Sequence, residues 1–480
     1  MIPRLTTFAR RLGPGAAAAA VAAVVALAVP APAAAHGLVG KADLPVPMWL
    51  FAWAAALVLV VSFAALGALW PTPRLQRPRE RRLLPLGRWA DVLGGAVGVA
   101  VYAATVVSGL AGTQVPLANL APTVVYVLFW VGVPVASVLL GDVFRLLSPW
   151  RALARGCAWL AGRVRRAPLP APLPYPRRLG HWPAVATIAA FAWLELVSVQ
   201  RDEPRLLALL ALAYGAVQLL GMSVYGIEAW SARGDGFAVY FGLFARMAPL
   251  TRRDGWLRLR PPLGGLPTMP VLPGTVALVC VAIGATTFDG ASEGPLWTGV
   301  APGLQDAFEA LGLGATAATE AAFTLGLLGG VALAALVYLL GVAGMRAVDR
   351  TRGLRELAGG FVHTLVPIAF AYVLAHYLSL LLYQGQALGY LISDPLGEGA
   401  DLFGTAGLTI DYTVLSATGI WYVQITVIVL GHLAGLVLAH DRALAVFRGG
   451  RSAVRSQLAL LAVMVAFTCL ALWLISAANR

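Results

Sequence analysis

Long apolar runs recur along this chain, and the connections between them take turns: one is rich in arginine, the next is short or carries acidic and neutral residues. Arginine resists passage through hydrocarbon, so this alternation predicts a polytopic membrane protein whose basic connections face the cytoplasm. Composition agrees, because only 12% of the 480 residues are charged where a soluble domain has about a quarter. The net charge of +13 does not argue for a nucleic-acid partner. Its arginines sit beside apolar segments, which makes the lipid bilayer the expected partner. No charged, alternating stretch is long enough to build a soluble domain beside the spans. The expected fold class is therefore all-α, a polytopic integral membrane helical bundle in one domain, with short interfacial helices.

At the N-terminus, Arg4, Arg10 and Arg11 precede the apolar run Ala16 to Val29, and Ala33-Ala34-Ala35 follows. This is the layout of a secretory signal peptide, residues 1–35, cleaved to leave His36 first; an uncleaved first helix is the alternative. A helix needs about 20 apolar residues to cross the bilayer. Ten stretches of residues 36–480 qualify, near 48–70, 90–112, 122–141, 182–200, 205–225, 271–288, 320–344, 361–383, 413–438 and 457–477. Arginine-rich segments follow the first, third, fifth, seventh and ninth, which places both mature termini outside the cell (inner) membrane. Two interfacial helices are expected. One lies on the anionic inner leaflet over Arg145 to Arg166, with Arg151 and Arg155 beside Trp150 and Leu153. The other lies outside, where Leu304, Phe308 and Leu311 recur at helical spacing.

Ionisable and polar residues inside spans are costly and turn toward a bundle interior, so they mark where chemistry can reside. Tyr372, His376, Ser379 and Tyr383 form one face of the eighth span, and Gln424 and His432 lie on the ninth, where Gly431 and Gly435 permit close helix approach. The fourth span holds Glu195. Depth sorts these groups into two pockets. The eighth span starts inside, so His363 lies near the cytoplasmic surface and His376 about 20 Å farther out. The ninth runs back, bringing His432 toward the depth of His363. The outer set is Glu195, His376, Tyr383 and Gln424, with Asp411 near them. It reads as an acid/base or proton-relay site, the alternative being a neutral Glu195 bonded to a neighbouring helix. The inner pair, His363 and His432, could hold a divalent metal if Asp142 or Glu228 swung in, the alternative being ordinary interfacial and buried histidines. A free amino-terminal His36 could chelate copper. Cys157, Cys280 and Cys469 are far apart and match no metal or redox spacing.

Three stretches, HGLVGKADLPVPMWLFAWAAALVLVVSF, RGDGFAVYFGLFARMAPL and the pair LVPIAFAYVLAHYLSLLLYQGQ with GHLAGLVLAHDRAL, resemble actinobacterial polytopic membrane proteins that carry the name fenitrothion hydrolase. The resemblance runs over nearly the whole mature chain. It implies hydrolysis of a small-molecule substrate, an aryl phosphorothioate triester, by an activated water. Such a reaction gains from a general base or Lewis acid and from a group that stabilises phosphoryl charge. The residues by themselves equally fit a transporter or permease with a proton-linked polar path, or a metal-handling or redox membrane subunit.

Overall fold

Runs of Ala, Leu and Val without internal proline favour uninterrupted helix, and helices dominate the computed structural model, which describes residues 48–165, 171–447 and 450–478. Residues 1–35 and His36 lie outside the described residues. In chain order the principal helices are α1 (Met48–Leu69), α2 (Arg88–Ala111), α3 (Leu120–Leu140), α4 (Pro149–Arg165), α5 (Trp182–Leu196), α6 (Pro204–Tyr225) and α7 (Gly236–Ala245). They continue with α8 (Thr275–Ser292), α9 (Pro295–Ala310), α10 (Ala315–Val348), α11 (Leu354–His376), α12 (Ala417–Val446) and α13 (Gly450–Ala478). Among the described residues eight helices are long and apolar enough to cross a membrane: α2, α3, α6, α8, α10, α11, α12 and α13, the last over Ser452–Leu470. The protein is a multi-pass helical membrane protein. Shorter apolar helices are Trp53–Leu69, α5 and α7. The 15 residues of α5 rise only about 22 Å, less than the hydrocarbon thickness of about 30 Å.

Burial separates interior helices from peripheral ones. α8 and α11 are buried around most of their circumference, while α2 and α10 turn many apolar side chains outward. α8 packs against α5, α10 and α11, α11 packs along α12, and α13 lies against α10 and α12. Polar groups carried by α8 and α11 therefore face protein.

Two buried carboxylates fix connections to this frame. Asp235, the N-cap of α7, accepts from Trp150 Nε1 at 2.6 Å and Tyr214 O–H at 2.8 Å, tying α7 to α4 and α6. Asp441 on α12 accepts from Trp70 Nε1, Gln76 Nε2 and the Arg74 and Leu75 amides, which folds the connection after α1 onto α12.

The all-helical expectation omits one small sheet. Strands β1 (Arg81–Pro85), β2 (Leu250–Arg253) and β3 (Trp256–Leu259) pair antiparallel in the order β1-β3-β2. They come from the arginine-rich connections after α1 and α7, and their four or five residues are too few to register as a periodicity. The hairpin turn carries the signal that could have found it. Asp254 and Gly255 both take positive φ, 53° and 74°, as Asp-Gly does in a tight hairpin.

α4 forms over the expected interfacial stretch, but Arg151 does not face outward. It is 3% exposed, and its guanidinium lies 2.8 Å from Glu228, which Arg145 and Arg155 also reach at 3.0 Å. Burial opposes ionisation of Glu228, but the three guanidiniums outweigh it and hold the carboxyl below its ordinary range.

Candidate functional site

α8 begins in apolar sequence and ends on Thr286, Thr287, Phe288 and Asp289, still helical to Ser292. Those last turns carry Asp289 into the interior. α11 ends at His376, with Tyr377 as its C-cap before a wide turn over Leu380–Gln384. Successive residues on a regular helix point about 100° apart. The break at Tyr377 lets both side chains converge on one carboxylate: His376 Nε2 is 2.8 Å from Asp289 Oδ2, and the Tyr377 hydroxyl donates to the same oxygen at 2.6 Å.

Glu195, near the end of α5, joins the cluster through the Tyr377 hydroxyl and lies in the field of Asp289 and His376. Arg201 also acts on Glu195, and its Nη1 reaches the Glu195 carbonyl oxygen at 3.5 Å. Tyr377 already donates its proton to Asp289, so toward Glu195 it offers an acceptor lone pair, which a protonated carboxyl can fill. Glu195, Tyr377, Asp289 and His376 thus form one hydrogen-bonded line across α5, α11 and α8.

A small void adjoins this line, bounded by Trp130, Ala192, Glu195, Tyr240, Thr286 and Tyr377, with ≈ 10 Å³ open to the centre of a water molecule. That is room for about one water, and its mostly apolar lining includes Glu195, Tyr377 and Trp130, whose indole Nε1 has no hydrogen-bond partner. An aryl ester does not fit the void as it stands.

No family model matches this chain, and no curated protein or solved structure matches it. The geometry is what speaks to function.

Among the expected outer residues, the structure brings Glu195 and His376 together and sets Tyr383 and Gln424 apart from them. Tyr383 donates to the Leu415 carbonyl at 2.8 Å and packs on Tyr412. Gln424 donates to the Ala375 carbonyl at 2.8 Å, linking α12 to α11 one residue before His376. Asp411 accepts from Thr413 in the connection before α12. Tyr377 carries no mark in the sequence that separates it from other tyrosines, and Asp289 stands one residue past the apolar run 271–288.

His363 and His432 lie on helices that interlock. A Cβ on Gly431 would meet the Pro367 carbonyl at 2.9 Å, and one on Gly435 the Thr364 carbonyl at 2.8 Å, so the two histidines sit within about two turns of each other in height. No third ligand joins them among the described residues. His432 Nδ1 is taken by the Ile428 carbonyl at 2.8 Å. The supposed third ligands are occupied, Asp142 capping the next helical turn and Glu228 bound by arginines. Among the described residues no three His, Cys, Asp or Glu groups are arranged to hold a metal ion.

The α11–α12 seam holds a further set of polar atoms. His363 Nε2, Thr364 Oγ1, Tyr372 Oη, Gln424 Oε1 and His432 Nε2 are all buried without a hydrogen-bond partner in the protein. Each such atom costs about 1–3 kcal/mol if left unsatisfied.

Proposed function

We propose that this is a multi-pass protein of the cell membrane that couples movement of a small solute to proton binding, with Glu195, Tyr377, Asp289 and His376 as the proton-holding site. The observation that carries the reading is the line of two carboxylates, one phenol and one imidazole across α5 and the two interior helices α8 and α11. Ionisable groups buried in a membrane bundle mark proton or substrate paths. A proton on Glu195 passes to the Tyr377 oxygen as Tyr377 delivers its own to Asp289 Oδ2, and His376 takes up or returns the charge at Nε2. Interior helices packed through glycine contacts, and Pro367 near the start of the regular part of α11, suit a path that opens to one side at a time. In topology we propose ten crossings, the two short apolar helices Trp53–Leu69 and α5 joining the eight long ones. The arginine-rich connections then face the cytoplasm and the mature termini lie outside.

Ester hydrolysis is the second reading, favoured by the His376–Asp289 pair beside a water-sized void, an arrangement that can orient and deprotonate a nucleophilic water. It requires the void to widen for an aryl phosphorothioate. Full-length protein in proteoliposomes tests both. Proton-linked solute uptake without chemical change, lost in Glu195→Gln, supports the transporter. Nitrophenol release lost in His376→Ala, without uptake, replaces it with the hydrolase. Activity of either kind that survives both substitutions removes this site.

A further inference from the structure

α11 and α12 run antiparallel in close register. Gln424 bonds to Ala375 and Gly435 abuts Thr364, and eleven residues separate the partners on each helix. This register turns the unpartnered polar atoms of the seam into a ladder. His376 stands level with Gln424, and Tyr372 stands level with Ile428, which packs with it in one cluster. His432 follows one turn farther along α12, His363 and Thr364 stand near Gly435, and His440 follows at the arginine-rich end. Each step is about four residues, or roughly 6 Å of rise.

One or two waters in series, each at hydrogen-bond length of about 2.8 Å, span such a step. The donor and acceptor roles also alternate. His432 Nδ1 donates to the Ile428 carbonyl, so Nε2 is a bare acceptor. Gln424 uses its amide N–H on Ala375 and leaves Oε1 as an acceptor, while the Tyr372 hydroxyl, near Thr287 on α8, can donate to one water and accept from another. At the far end the His440 ring lies between Gln457 Oε1 at 3.2 Å and the Trp70 carbonyl at 3.1 Å.

We propose that this seam holds a single file of internal waters that conducts protons between the Glu195–Tyr377–Asp289–His376 cluster and the arginine-rich end at His440. The proposal deepens the proton-linked reading and rests on it for the identity of the outer terminus. His432 takes a proton at Nε2 from one water and returns it from Nε2 to the next, while Nδ1 stays on the Ile428 carbonyl. One proton enters for each that leaves, and nothing is oxidised or reduced.

Two measurements test it on the full chain. X-ray hydroxyl-radical labelling in ¹⁸O-water marks side chains beside bound water; Tyr372 and His432 are expected to be labelled despite their burial, and a folded protein in which both stay unlabelled overturns the file. Proton flux into pyranine-loaded phosphatidylethanolamine/phosphatidylglycerol vesicles under a potassium–valinomycin potential is expected to fall on the order of 10²-fold in His432→Leu and Tyr372→Phe, with His432→Gln intermediate. Flux lost in Glu195→Gln but intact in His432→Leu overturns the file and leaves the outer site standing. Labelled Tyr372, with flux that needs His432 but not Glu195, supports the file and removes the outer site.

Discussion

Asp289 lies in the last turn of one buried helix and His376 ends another, and they meet with Oδ2 and Nε2 2.8 Å apart. The contact joins α8 to α11 at the point where Glu195 and Tyr377 also converge. Side chains 19% and 14% exposed exchange little with solvent, so the pair is both a structural clamp and a place where protonation can be held.

Asp289→Asn should therefore weaken fold and function together. Losing the charged acceptor shared by His376 and Tyr377 is expected to cost about 1.5–3 kcal/mol for each bond made to it, read as a lower thermal midpoint in detergent. Unchanged stability would mean that the contact does not hold the two helices.

Tyr377→Phe keeps the ring and removes the hydroxyl that links the two carboxylates. Proton-linked uptake should fall on the order of 10²-fold, with a modest loss of stability. Tyr383→Phe should leave uptake near the wild-type rate, because that hydroxyl donates to Leu415 outside the cluster. Equal losses in the two variants would place the functional tyrosine elsewhere.

Gly431→Val tests the seam between α11 and α12. Its Cβ would sit 2.3 Å from Ala371 Cβ and 2.9 Å from the Pro367 carbonyl, so the helices must separate at a cost of about 1–3 kcal/mol. Gly242→Ala, on α7 with nothing within 4 Å of the new Cβ, should be neutral or slightly stabilising. Unfolding midpoints of the two variants provide the comparison.

Acid should release α4. Burial pushes the Glu228 carboxyl up, but Arg151, Arg145 and Arg155 outweigh it and hold the group below its ordinary value of 4.5. A depressed carboxyl contributes stability that is fully present above the unfolded value and disappears as pH falls through the folded one. Hydrogen–deuterium exchange of the α4 amides, corrected for the intrinsic pH dependence of exchange, is thus expected to rise only below about pH 4.5, whereas Glu228→Gln should show it at neutral pH. Solvent screening of the half-exposed carboxylate keeps the effect local.

The long apolar runs and the arginines between them made a helical membrane bundle legible without coordinates, because both follow from transfer energies that act residue by residue. Helical spacing likewise put Tyr372 and His376 on one face and marked Gly431 and Gly435 as a close contact. The small sheet was less visible. Its strands are short, and only Asp254-Gly255 announced the hairpin.

Glu195 and His376 could be named from sequence as costly residues inside apolar segments, and their common depth followed from helix rise. Which groups would complete their site could not. Asp289 joins only because α8 continues to Ser292, and Tyr377 joins only because α11 breaks where it does; both depend on how neighbouring helices pack. Hydrophobicity and charge belong to the chain itself, so the sequence alone determined that this protein spans a membrane. The choice of one carboxylate for His376, and the empty-handed polar atoms beside His432, arise from distances between helices remote in sequence, and only the tertiary structure decided them.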